Sequence, residues 1–221
     1  KAKELIESGS IGKLLFLRGW IGNAGKHLQN SWYSDYEMTG GGTFLDNGCH
    51  LLDLTRWFLG EVGECKGYVA TSFWPISPLE DNGLGIFKTI DGKLAFVQSS
   101  WTEWSEYMYM EIYGTEGYVR VDNRDQSSKT ILKKKDGEEN VFDYSRETKQ
   151  SYWLEFQDFL KAIQEARQPL PSGYDGLRAV QMAYGIYESS RTGRAAKIFG
   201  EIEEKLSKRI NAWRTHAKND W

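Results

Sequence analysis

The run G-G-G-T-F-L-D-N-G-C-H-L-L-D-L-T-R-W-F-L-G at positions 40–60 constrains this chain more than any other stretch. Three glycines lead into Thr43, a favourable N-cap, and an apolar run follows that closes on Gly60, a favourable residue just past a helix end. The spacing predicts one helix, with Asp46, His50, Asp53 and Trp57 at i, i+4, i+7 and i+11 on one narrow stripe. Phe44, Leu45, Leu51, Leu52, Leu54, Phe58 and Leu59 cover most of the remaining circumference, so the helix is expected to be largely buried. A stripe of carboxylate, imidazole and carboxylate on such a helix costs free energy unless the groups are paired or used.

Two uses are open. Asp46 and His50 can be a satisfied i,i+4 polar pair, with Asp53 meeting solvent. Alternatively they form a general acid/base dyad at the floor of a pocket, in which the carboxylate holds the imidazole in one tautomer and favours its protonated form. The glycines upstream let a ligand approach the backbone closely.

The pattern G-G-G-x-x-x-D-x-G-x-H-x-x-D-x-x-x-W-x-x-G resembles the signature that opens the substrate domain of the Gfo/Idh/MocA family. These are NAD(P)-dependent oxidoreductases of sugars, polyols and their derivatives. K-E-L-I-E-S-G-S-I-G-K-L at 3–14, I-Y-G-T-E-G at 112–117 and the stretch 189–198 resemble further segments of that family. The resemblance implies hydride transfer between a secondary alcohol carbon and the nicotinamide of NAD or NADP. It implies that His50 exchanges the hydroxyl proton, that Asp46 orients His50, that Asp53 binds a neighbouring hydroxyl, and that Gly41 and Gly42 contact the cofactor. It also implies pairing of sheets face to face in a homodimer or homotetramer. The family's glycine fingerprint and its Glu-Lys-Pro lysine are not present. The nearest match, Gly83-Leu84-Gly85, sits in a strand-like run. The chain is therefore expected to be the C-terminal substrate domain of a longer protein, without the Rossmann domain and inactive by itself.

Forty per cent hydrophobic residues in 221 suffice for one large domain over 1–221, ending in a terminal amphipathic helix over 200–221. A net charge of −3 without a basic stripe argues against nucleic-acid partners, and no apolar run approaches membrane-spanning length. Cys49 and Cys65 lack metal or redox spacing, which fits two buried thiols in the cytoplasm. Nine Trp among 14% aromatic residues suit a sugar ligand, although large cores use the same residues.

Strand signals fall at 13–21, 64–74, 84–90, 94–102, 107–113, 118–122, 130–135 and 139–144, with a short one at 197–199. Asp91-Gly92 and Asp136-Gly137 mark hairpins. Residues 1–8 read as a helix. Tyr152, Phe156, Phe159, Leu160 and Ile163 form a helical stripe, and Leu177, Val180, Tyr184 and Tyr187 form another after a Ser172 cap. The polar, aromatic loop 22–38 is expected to give substrate contacts from Asn30 and Trp32, the alternative being Trp32 packed as an anchor. The fold class is α+β: a large, mainly antiparallel sheet with helices on one face and the other face available for oligomerisation. Two other functions fit the same residues: a metal-assisted hydrolase or isomerase using Asp46, His50 and Asp53 as ligands, and a non-catalytic sugar-binding or dimerisation module.

Overall fold

The structure, a computed structural model, describes residues 1–147 and 151–217. Helix α1 (Ala2–Glu7) leads into strand β1 (Leu14–Gly22). Two 3-10 turns, Lys26–Leu28 and Trp32–Ser34, and the short helix α2 (Tyr36–Thr39) fill the loop expected at 22–38. Helices α3 (Thr43–Asp46) and α4 (Gly48–Leu59) follow. Strands β2 (Val62–Ala70), β3 (Asn82–Thr89), β4 (Leu94–Ser100), β5 (Tyr107–Gly114), β6 (Gly117–Asp122), β7 (Lys129–Lys134) and β8 (Glu139–Asp143) come next. The chain ends with α5 (Ser151–Gln164), α6 (Gly173–Thr192), β9 (Ala196–Lys197) and α7 (Glu203–Ala217). Residues 218–221 of the terminal helix expected over 200–221 lie outside the described residues.

The strands form one nine-stranded sheet in the order β8-β7-β6-β5-β1-β4-β3-β2-β9. Every pairing is antiparallel except β1 with β4. The Asp-Gly turns do join β3 to β4 and β7 to β8. The run of hairpins is nevertheless broken once, because β1 lies between β4 and β5 and welds two meanders into one sheet. Helices α1, α4 and α6 cover one face, where Leu5, Leu17, Leu51, Leu52, Phe87, Val97, Ile112, Met182 and Ile186 share a single core.

The buried side of α6 differs from the expected stripe. Ala179, Met182, Ala183 and Ile186 are buried, Val180, Tyr184 and Tyr187 flank them, and Leu177 is exposed. The helix approaches β2 and β3 so closely that Ile186 Cδ1 lies 2.5 Å from where a Cβ on Gly85 would be, so small residues are needed on that side. Helix α5 forms as expected, yet its stripe does not enter the core: Tyr152, Phe156, Phe159, Leu160 and Ile163 are all exposed.

Ser172 and Asp175 close a capping box at the start of α6, and Arg56 of α4 pairs with the same carboxylate. The Ser172 backbone N–H, then its hydroxyl and Arg56, hold Asp175 down at about 2. A depressed folded-state value stabilises above the ordinary carboxylate range and is lost as pH falls through it. Asp175→Asn is expected to cost about 1 kcal/mol at neutral pH, with the difference from the parent shrinking between about pH 4 and pH 2. Urea unfolding at both pH values checks this, and a pH-independent difference would contradict it.

The open face alternates with the core. Tyr109 stacks on Trp20 at 4.6 Å and Tyr113 on Phe16 at 4.5 Å, while Glu111 pairs with Arg18 and accepts the Tyr109 hydroxyl at 2.6 Å. Tyr68, Leu84, Ile86 and Leu94 on the same sheet are exposed. Among the described residues no helix is long and apolar enough to cross a membrane.

Candidate functional site

The helix expected between a Thr43 cap and Gly60 is present in two pieces. Asn47 keeps helical dihedrals, but the His50 N–H reaches the Asn47 carbonyl at 3.2 Å instead of continuing the i→i−4 ladder. The Asp46 carbonyl takes the Cys49 thiol as donor at 2.9 Å. Thr43 is the first helical residue and Gly42 occupies the cap position, so Thr43 is not the cap. The Thr43 hydroxyl instead meets Ser99 Oγ of β4 at 2.8 Å and fastens the helix start to the sheet.

The capping group comes from 38 residues downstream. Glu80, 5% exposed, accepts the Gly42 N–H and the Phe44 N–H at 2.9 Å each and the Tyr187 hydroxyl at 2.8 Å. Burial raises its carboxyl above the ordinary range, and these donors oppose the rise. Nothing local announces this partner. Glu80→Ala would leave two backbone N–H groups and a tyrosine hydroxyl buried without an acceptor. It is expected to cost about 3 kcal/mol in urea unfolding, and a loss under about 1 kcal/mol would contradict this role.

The same geometry explains two of the glycines. A Cβ on Gly42 would lie 2.0 Å from the Glu80 carbonyl oxygen, and one on Gly41 would lie 2.5 Å from the Tyr187 hydroxyl. Both are buried, and the close approach they permit is made by the chain itself. Cofactor contact is not needed to account for either.

Asp46 is half-buried and His50 is exposed. Burial raises the Asp46 carboxyl, while His27, His50 and the Trp101 indole N–H favour its charged form. Asp53, also half-buried, is raised by burial and by Asp175, and lowered by Arg56 and His50. His50 thus acts electrostatically on both carboxylates of the stripe. Asp53 lines a cavity of about 200 Å³ with Arg56, Trp57, Leu170, Pro171 and Asp175. An exposed imidazole four residues after one half-buried carboxylate and three before another is of the kind that can exchange a proton with a bound hydroxyl.

The loop contributions are mixed. Asn30 is exposed with a φ of 53°, and Trp32 is 55% exposed and stacked on Tyr33 at 4.1 Å. Trp32 is therefore not the packed anchor; Tyr33 packs against the small cluster of Leu28, Ile76, Leu79 and Trp101. Neither Asn30 nor Trp32 lines the Asp53 cavity. His27 and Trp101 are the residues of this neighbourhood that the stripe pattern missed, because they come from other elements.

A larger cavity, about 780 Å³, opens between α6 and α7 beside Gly40 and Gly41 and contains none of the stripe residues. Its cations are already engaged, Arg191 and Lys205 with Glu188 and Lys208 with Glu204. Among the described residues no group of three or more His, Cys, Asp and Glu side chains is placed to hold a metal. Cys49 and Cys65 are both free, and burial pushes their thiols up to about 11 and about 12, which leaves them poor nucleophiles. Cys49 is only half-buried.

Fold and site together define an α+β domain on an open-faced mixed sheet, with Asp46 and His50 on either side of the break between α3 and α4. The family described as GFO/IDH/MocA C-terminal domain matches residues 1–120, more than half of the chain, and the chain belongs to that family. It is 26% identical to myo-inositol 2-dehydrogenase of Thermotoga maritima over 213 residues, covering 90% of this chain and 60% of that protein. Inositol 2-dehydrogenase of Rhizobium meliloti is 30% identical over 181 residues, covering 74% and 52%. The solved structure of levoglucosan dehydrogenase in complex with NADH superposes with a TM-score of 0.78 at 22% identity, covering 89% of this chain and 62% of that one. The chain thus spans about three fifths of the length of such relatives.

Proposed function

We propose that this chain is the substrate-binding and oligomerisation part of an NAD(P)-dependent oxidoreductase acting on a sugar, polyol or related hydroxylated small molecule. The observation that carries the reading is the exposed His50 imidazole acting on the half-buried carboxylates of Asp46 and Asp53 in a member of this family. His50 takes the proton of the reacting hydroxyl in oxidation and returns it in reduction. Asp46 stabilises the imidazolium that forms, and Asp53 accepts a hydrogen bond from a neighbouring hydroxyl, which fixes the face presented.

The nicotinamide supplies the hydride acceptor when bound. Gly41 and Gly42 leave no room for a dinucleotide, since Tyr187 and Glu80 fill the space beside them. NAD or NADP binding is therefore assigned to the portion of the relatives that this chain does not span. The open sheet face, with exposed Tyr68, Leu84, Ile86 and Leu94, is the surface through which we expect a homodimer or homotetramer to form.

The test is NAD(P)+ reduction, followed by absorbance, in the intact gene product with myo-inositol, scyllo-inositol, levoglucosan and D-xylose as substrates. Reduction with at least one of them is expected. Binding of these compounds without NAD(P), and no reduction with any, would instead favour a non-catalytic sugar-binding module.

A further inference from the structure

Asp46 has neighbours beyond its own helix. The 3-10 turn Lys26–Leu28 places the His27 ring edge-on to Trp101 at 5.3 Å and to Tyr33 at 5.0 Å. That turn is seated firmly. Gly25, with a φ of 63°, lies where a Cβ would come within 2.3 Å of Trp74 Nε1 and 2.7 Å of the Trp101 carbonyl. Trp74 Nε1 donates to that carbonyl at 2.9 Å. The loop carrying Trp74 is tied to the Asp81 carboxylate by the N–H groups of Ser72, Phe73 and Trp74. This much structure converges on two polar atoms that have nothing to bond. His27 Nε2 and Trp101 Nε1 are both buried without a partner, and Trp101 is 0% exposed. Buried polar atoms left unpaired inside a well-fastened cluster call for a function or a ligand. Both groups act on the Asp46 carboxylate, His27 ahead of His50, although the indole N–H stops short of hydrogen-bond geometry.

We propose that His27 is a positioning residue for the Asp46–His50 pair: its buried, unpaired Nε2 and the unpaired Trp101 indole N–H form a donor set that holds the Asp46 carboxylate toward His50. This rests on the reading of Asp46 and His50 as the acid/base pair. The groups acting on Asp46 are His27 from the loop after β1, His50 from α4 and Trp101 from the end of β4; Cys49, next to His50, feels the Asp46 charge in return. In an apo chain such hydrogen bonds are often long and close only when substrate seals the site. The gain is in the timing of charge. An ionised Asp46 stabilises the imidazolium as it forms, whereas a protonated one cannot.

The first experiment follows the Asp46 side-chain carboxyl carbon by NMR across a pH titration of this chain. In His27→Phe, which keeps the ring and removes the nitrogens, the Asp46 midpoint is expected to move up. An unmoved midpoint in a folded His27→Phe chain overturns the proposal. The second measurement does not depend on that variant folding. The chain has only three histidines, so their signals can be told apart, and Asp46→Asn is expected to displace the imidazole nitrogen signals of both His27 and His50. Displacement of His50 alone overturns the proposal. Neither readout uses cofactor or substrate, so both stand even if no NAD(P)-linked turnover is found. In the intact gene product, His27→Phe should lower kcat about tenfold with KM nearly unchanged and shift the acid limb of the kcat–pH profile upward, and His27→Gln should recover part of the loss. A fall in kcat with an unshifted profile and no recovery by Gln would mark His27 as merely structural.

Discussion

A Gly42→Ala chain is expected to lose its cooperative unfolding transition, or to be destabilised by at least about 4 kcal/mol. The added methyl carbon would sit 2.0 Å from the Glu80 carbonyl oxygen, 2.8 Å from its backbone nitrogen and 2.8 Å from its carboxyl carbon. Backbone atoms cannot swing aside as a side-chain tip can. The 71–81 connection would have to move, and with it the carboxylate that caps the Gly42 and Phe44 N–H groups and the carbonyl that accepts the Thr43 N–H at 3.0 Å. The start of the central helix would lose its cap and its seat together. Gly63→Ala is the control, since the nearest atom to its added carbon is 3.6 Å away, and a change within about 1 kcal/mol is expected there. Urea midpoints of the two variants decide it. A Gly42→Ala chain within about 1 kcal/mol of the parent would remove the steric argument.

His50→Ala in the intact gene product is expected to lower kcat at least about a hundredfold. The exposed imidazole is the group we propose to exchange a proton with bound substrate, and Asp46 and Asp53 cannot replace it. Both are half-buried and raised by burial, and neither offers an N–H donor. Stability should change little, because the side chain is at the surface and has no described hydrogen-bond partner to lose. The loss should fall on kcat with a smaller change in KM, as expected for an interaction that strengthens in the transition state. A loss under about threefold would remove His50 from the chemistry.

What the sequence disclosed follows the range of the interactions involved. The hairpins at Asp91-Gly92 and Asp136-Gly137 and the Ser172 cap are local devices, and all three stand where the residues put them. The insertion of β1 between β4 and β5 is a non-local pairing, with Leu17 opposite Ala95 on one side and Ile112 on the other, and no turn residue announces it. The face of α6 was misread for a physical reason. The pattern favours large residues, yet the helix packs so closely on β2 and β3 that its buried side is built from Ala179, Ala183 and Gly185 around Met182 and Ile186. Tyr184 and Tyr187 were pushed to the flank, where their hydroxyls reach the Gly40 carbonyl and Glu80.

The site divides in the same way. Asp46, His50 and Asp53 were readable as one stripe because helical spacing places them there, even though the ladder tightens at Asn47. Glu80, His27 and Trp101 were not, since each comes from a different part of the chain and meets the helix only after the sheet has formed. The triple glycine was read as room for a ligand. Two of the three glycines make room for Glu80 and Tyr187 instead, a substitution of one close approach for another that composition cannot distinguish.

The most direct measurement of the central claim is isotope transfer. The intact gene product would be incubated with NAD+ or NADP+ and polyols and sugars deuterated at their carbinol carbons, and the reduced nucleotide examined by NMR. Deuterium at the nicotinamide C4, transferred at least about a hundredfold more slowly by His50→Ala, is the result predicted for an Asp46–His50 pair serving hydride transfer. Substrate binding with no deuterium in the nucleotide, or transfer at the parent rate in His50→Ala, would contradict it.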